Sequence, residues 1–312
     1  ESTLNSIGLV YDYERQYTKA LDYFNQALKI RREIGNRSGE GNTLNSIGVV
    51  YQRQGQYIKA LNYYKQALEI HREVDNQTNE NITLNNIGAV YRLEGEYIEA
   101  LKYYNQALQV GRGVGDRTGE GRTLNSIGIL YGQQGQYIEA LNYYKQALEI
   151  SREIESRSHE GITLNNIGII YEKQEQYVEA LNYYNQVLTI QRELDNRSGE
   201  GNTLNNIGLG YYNQKQYAKA LDHYNKALFI RRETNNRAGE GNTLNNIGLV
   251  YRDAEKYAEA LDYYNQSLVV YRELDDLANE GIVLSNIGIT YEKQKQYVEA
   301  LNYYNQVLTI QR

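Results

Sequence analysis

Apolar residues recur along this chain at spacings of three and four. Leu204, Ile207, Gly208 and Tyr211 fall at i, i+3, i+4 and i+7, and a little further on Tyr217, Ala220, Leu221, Tyr224, Ala227 and Leu228 repeat that spacing. Such spacing lines one face of an α-helix, so the stretch predicts two helices, A and B. A few polar residues part them, with glycine at Gly55, Gly95 and Gly135. That composition predicts a tight turn and an antiparallel hairpin. Helix B is expected to end near Ile34, Val74 and Leu194, where pairs such as Asp195 and Asn196 break the pattern and can cap the next helix A. Glu200 then falls in the first turns of that helix, where a carboxylate favours the positive end of the dipole.

The whole pattern returns every 40 residues without an insertion or deletion: Gly8, Gly48, Gly88, Gly128, Gly168, Gly208, Gly248 and Gly288 keep one phase, and Ala20 through Ala300 keep another. A fixed period of this size is the signature of a stacked repeat protein. The units run approximately over 1–36, 37–76, 77–116, 117–156, 157–196, 197–236, 237–276 and 277–312. Because such a stack adds core repeat by repeat, the chain is expected to be one elongated domain, 1–312. Residues Val283–Arg312 match Thr163–Arg192 except at 163/283, 165/285, 170/290 and 175/295, so copies look recently duplicated. The chain opens at Glu1 and both ends cut the pattern, so it is expected to be an excerpt of a longer protein.

Small residues show how the helices should meet. Gly208 on helix A and Ala220 on helix B remove bulk where the axes cross, allowing a close approach. Tyrosines at the phases of 211, 217 and 224 fill the remaining volume, and their hydroxyls need polar partners. The 33 tyrosines are therefore expected to pack and not to carry redox or nucleotide-stacking chemistry.

The net charge of -6 comes from 39 acids interspersed among 33 bases, which disfavours nucleic acid, since that partner needs a basic stripe. No apolar run is long enough to span a membrane and no signal peptide opens the chain. With no cysteine, disulfides and thiolate metal sites are excluded, which fits a reducing compartment; a cytoplasmic location is the default expectation. His71, His159 and His223 lie at three different phases, so no metal-ligand spacing arises. No phosphate-cradling loop is present, and no catalysis or cofactor is expected.

Leu204, Ile207, Gly208 and Tyr211, followed by Ala220, Tyr224 and Ala227, resemble the tetratricopeptide pattern of helix pairs, and the match recurs in all eight units. Two positions depart from it: Leu stands where that pattern prefers Trp, and Arg232 stands where it often has the Pro that ends helix B. The longer unit, with TLNNIG in helix A and RELDNRSGEG between units, is similar to kinesin light chain repeats and to the Leu-Gly-Asn repeats of spindle-orientation adaptors, and to arrays in large bacterial signalling proteins. The resemblance implies an all-α fold, an α-solenoid built as a right-handed superhelix of eight helix-turn-helix repeats, with helix A lining a concave groove. It also implies binding of peptides or partner proteins.

With the core stripe fixed, the phases of 202, 205, 209, 212 and 213 are expected to face that groove. An amide recurs at the phase of 205, at Asn5, Asn45, Asn85, Asn125, Asn165, Asn205 and Asn245, with Ser285 the exception. Asn is a poor helix former, so its return needs a reason. Its acceptor and two donors can pair with the backbone of an extended peptide; a hydrogen bond between neighbouring repeats is the alternative. Arg53, Arg92 and Arg122 gather basic charge over units two to four, where an acidic or phosphorylated stretch of ligand is expected. Arg32 and its equivalents as far as Arg312 are expected to pair with the Glu at the phase of 200 as a structural ladder. A further reading is self-assembly or a spacer role, by end-to-end stacking of uncapped terminal repeats.

Overall fold

A computed structural model describes residues 2–310; Glu1, Gln311 and Arg312, and with it the last rung expected of the arginine ladder, lie outside the described residues. The chain falls into two compact units, Glu1–Thr163 and Leu164–Arg312. The first contains α1 (Ser2–Tyr13), α2 (Tyr17–Glu33), α3 (Arg37–Arg53), α4 (Tyr57–Glu73), α5 (Gln77–Leu93), α6 (Tyr97–Gly113), α7 (Arg117–Gln133) and α8 (Tyr137–Glu153). Helix α9 (Arg157–Lys173) carries the division within it. The second continues with α10 (Tyr177–Glu193), α11 (Arg197–Asn213), α12 (Tyr217–Glu233), α13 (Arg237–Asp253), α14 (Tyr257–Glu273), α15 (Leu277–Lys293) and α16 (Tyr297–Ile310). Odd-numbered helices are the A helices and even-numbered ones the B helices; no strand occurs among the described residues.

The predicted signals end these helices. Asn196 accepts a hydrogen bond from Gly199 N at 2.9 Å through its side chain, and Asn36, Asn236 and Asp116 do the same in their repeats. Helix B stops with Ile34, Val74 and Leu194 as C-caps. Within the hairpin Gln56 N reaches Tyr51 O at 2.9 Å and Gly55 N reaches Gln52 O at 3.0 Å. This paired closure needs a left-handed residue between, and Gly55 supplies it at φ 72°. Arg15, Glu175, Lys215, Glu255 and Lys295 hold the same place at φ near 60°; each carries a strain of roughly 1 kcal/mol that glycine avoids.

The core is built between repeats. Ala20, Phe24 and Leu28 of α2 meet Leu44, Ile47 and Val50 of α3 and Ala67 and Ile70 of α4 in one buried cluster, and equivalent clusters recur along each unit. Each buried Leu or Ile contributes about 1.5–3 kcal/mol. At the crossing inside a hairpin the expected close approach is present: a Cβ on Gly48 would lie 2.6 Å from the Tyr64 ring. Tyr64 is fully buried, and its hydroxyl donates to Gln52 Oε1 at 2.7 Å; Tyr184 likewise donates to Glu172 at 2.8 Å.

Successive A helices touch one another, α1 with α3, α3 with α5 and α5 with α7 in the first unit, and α11 with α13 and α13 with α15 in the second. Successive B helices make no comparable contact among the described residues. Within each unit the A helices therefore line the inner side of the stack.

Candidate functional site

Asn45 follows Leu44 on α3, and one residue of helical rotation carries it from the buried stripe toward the next A helix. There its Oδ1 accepts from Thr83 Oγ1 at 3.3 Å and from Asn86 Nδ2 at 3.0 Å. Asn205 accepts in the same way from Thr243 and Asn246, both at 3.2 Å; Asn165 accepts from Asn206 at 3.3 Å and Asn245 from Asn286 at 2.9 Å. At these four positions the amide joins consecutive A helices through its oxygen. At Asn45, Asn165 and Asn245, which are half-buried, the Nδ2 has no partner among the described residues. Asn85 and Asn205 are buried. Asn85 donates to Thr123 at 2.8 Å and to Asn81 O at 2.9 Å, so it faces inward.

Sequence reasoning missed these donors, although the signal was present. Thr203, Asn205 and Asn206 belong to one motif; the Thr and the second Asn of the following repeat both hold Asn45 and Asn205, and the second Asn alone holds Asn165 and Asn245.

The three arginines are placed differently from one another. Arg53 pairs with Asp12 at 2.9 Å, and Arg92 donates to Gln133 Oε1 at 2.9 Å. Both bonds run from one A helix to the next, 41 residues along the chain. Arg122 makes no ion pair among the described residues and, with Asn125, lines a cavity of about 190 Å³ between α7, α8 and the start of α9. Ile150, Ser151, His159 and Ile162 line it. His159 Nδ1 lies 2.8 Å from Ser156 Oγ, and burial, with the Arg122 charge added, holds the imidazole below its usual pKa and so neutral near pH 7. A second cavity of about 190 Å³ lies two repeats earlier, lined by Asn42, Asn45, Asn79 and His71; burial lowers the pKa of His71 too.

On the opposite, linker side, the arginine ladder forms as expected: Arg32–Glu40, Arg72–Glu80, Arg112–Glu120, Arg152–Glu160, Arg192–Glu200, Arg232–Glu240 and Arg272–Glu280 span 2.7–2.9 Å. Arg37, Arg117, Arg197 and Arg237 add a second fork to the same glutamates and reach Glu73, Glu153, Glu233 and Glu273 at the end of helix B. Burial pushes the Glu200 carboxyl up, but hydrogen bonds from Arg192 and Arg197 overcome it and leave the pKa below the usual 4.5. These charges are consumed structurally. No group of His, Asp or Glu able to hold a metal occurs among the described residues, and no helix there is long and apolar enough to cross a membrane.

No curated protein matches the chain. Solved structures match its fold. The quorum sensor NprR of B. thuringiensis, in its apo form, aligns at a TM-score of 0.70 and 20% identity, over 99% of this chain and 87% of that one. A signal-transduction ATPase with a tetratricopeptide repeat sensor, from Pyrococcus horikoshii, aligns at 0.76 and 15% identity, over 99% of this chain and 47% of that one. The nearly identical repeats of a putative kinesin light chain from Podosopora anserina align at 0.52 and 18% identity, over 61% of this chain and 94% of that one. The tetratricopeptide repeat family model matches residues 1–73, 79–153, 160–233 and 239–312. With nearly every residue inside one of these matches and the helix pairs stacked as described, the chain belongs to the tetratricopeptide repeat family.

Proposed function

We propose that the chain is a non-enzymatic scaffold that holds an extended peptide or partner segment against the A-helix face. The tetratricopeptide repeat commonly mediates protein–protein interaction. One observation carries the reading for this chain: on that face the ladder amides keep an uncommitted N–H, at Asn45 in the first unit and at Asn165 and Asn245 in the second. An N–H donor at each such step suits the carbonyls of an extended backbone, which rises ~3.3 Å per residue. Arg122, without a carboxylate of its own, favours an acidic stretch of that guest.

Selection of a peptide library on the 312-residue chain, followed by calorimetry, tests the reading. Asn45→Asp and Asn245→Asp keep the oxygen that Asn86 and Asn286 bond and remove the uncommitted N–H. Each is expected to weaken a peptide bound in its own unit by roughly tenfold, the equivalent of about 1.4 kcal/mol, with helicity unchanged. A library that yields no binder, or binders indifferent to both substitutions, would count against it.

A further inference from the structure

In a chain of near copies, the positions that refuse to repeat are informative. The phase of 151, on helix B where it meets the A helix of its own repeat and the start of the next, is one of them: Arg31, His71, Gly111, Ser151, Gln191, Arg231 and Tyr271. At most steps this residue or a neighbour enters the seam. Arg31 is buried, donates to Gly39 O at 2.6 Å and reaches the Thr43 hydroxyl. His71, Arg231 and Tyr271 are likewise more than nine-tenths buried, and Tyr271 lies against Gly241. Gln191 crosses to Gly199. Beside Gly111 the space is taken by Asn81, which is fully buried and donates to Ala107 O at 2.6 Å.

The seam at His71 keeps a cavity of about 190 Å³ lined by the polar side chains of Asn42, Asn45, Ser46 and Asn79. The seam at Ser151 keeps one of the same size, but there Ser151 is small and turns its hydroxyl back to Leu148 O at 2.8 Å, and Ala147, Ile150 and Ile154 join the lining. Two more departures converge on the same spot. His159 stands where Gly39, Gly119, Gly199 and Gly239 stand in other repeats, and Arg122 stands where every other repeat but the first has Asn or Ile. Ile150, Ile154 and Ile162 supply apolar walls. An apolar cavity of about 150 Å³ accommodates benzene, so this one has room for one aliphatic or aromatic side chain.

We propose that Ser151 makes this seam the anchor point of the array: the cavity takes one bulky apolar side chain of the guest, and Arg122 pairs with a carboxylate beside it. The inference rests on the A-face reading above and adds to it a single step at which selectivity resides. Charge complementarity fixes the occupant's chemistry, because Arg122 in the lining has no acidic partner among the described residues while Ile150, Ile154 and Ile162 are apolar.

3-Phenylpropanoate, a phenyl ring with a carboxylate, and 3-phenylpropanamide, its uncharged match, serve as probes, read by isoleucine methyl NMR of the full chain. The carboxylate is expected to shift the Ile150, Ile154 and Ile162 methyls and to bind several-fold tighter than the amide, a preference that Arg122→Gln removes. Ser151→Arg installs what the fold already accepts at Arg31 and Arg231, and is expected to weaken the probe at least tenfold with an unchanged melting profile. Should that variant fail to fold, Ser151→Gln, which copies Gln191 of the next repeat, makes the same test. Absence of shifts at these methyls, or equal binding to the plugged variant, overturns the anchor. A library peptide that binds Ser151→Arg as tightly as the parent also overturns it while leaving the scaffold reading intact; probe binding without any peptide binder does the reverse.

Discussion

The seam inside a hairpin and the seam between hairpins solve the same packing problem in opposite ways. Inside, a glycine on helix A faces an aromatic ring on helix B every time, from Gly8 and Phe24 to Gly288 and Tyr304, always with a would-be Cβ at 2.5–2.7 Å from the ring. At that separation helix A has no room for a side chain, so the pair has been copied unchanged apart from Phe24. Between hairpins the phase of 151 changes at every step, because the space there can be filled from either side, by Arg31, by Tyr271 or by Asn81. Where geometry admits one solution the copies stay alike, and where it admits several they are free to acquire binding differences.

The contrast can be broken by substitution, beginning inside the hairpin. Tyr224→Ala empties the space opposite Gly208 and is expected to cost about 3–5 kcal/mol in urea unfolding. Tyr64→Ala loses the same ring burial and also the hydrogen bond to Gln52, whose place beside Tyr224 is taken by Tyr212, so it should cost about 0.5–1.5 kcal/mol more; an equal cost would show that the hydroxyl bond adds nothing to the hairpin. The linker ladder comes next. Glu200→Ala removes the acceptor of two guanidinium groups and should cost roughly 1–3 kcal/mol at neutral pH. Because the folded pKa of Glu200 lies below its unfolded value near 4.5, that stabilisation is complete above the unfolded value and fades as pH falls through the folded one. Parent and variant should therefore converge in stability on acid titration. Asn245→Ala, between hairpins, deletes one bond to Asn286 and should cost only about 1 kcal/mol, measured by the unfolding midpoint.

The same distinction governs what was legible in the sequence. Helix ends were legible because their causes are local: Asn196 caps Gly199, and Leu194 follows the last turn of α10. The Arg–Glu ladder was legible because its partners lie eight residues apart across one linker. The amide row at the phase of 205 was visible as a residue type but not as a direction, since which end of the amide turns inward depends on Thr243 and Asn246 arriving beside it from the next repeat. Arg53 and Arg92 looked like open-face cations because the partners that bind them, Asp12 and Gln133, are 41 residues away. The cavity over Ser151 has no one-dimensional signature, because a small residue opens a space only if no neighbour fills it, as Asn81 does beside Gly111.

Those bonds across 41 residues bear on how so repetitive a chain assembles. Near-identical repeats could dock out of turn, but the pairs differ at each step: Asp12 with Arg53, Arg92 with Gln133, Tyr212 with Asp253. Were the third repeat to settle on the first, Leu93 would stand where Arg53 does, and Asp12, 5% exposed, would be left as a buried carboxylate without a counter-charge, a defect of about 3–5 kcal/mol. A penalty of that size at one junction outweighs the similarity of the surfaces around it, so the order of repeats in space is enforced by a few unlike side chains set among a great many like ones.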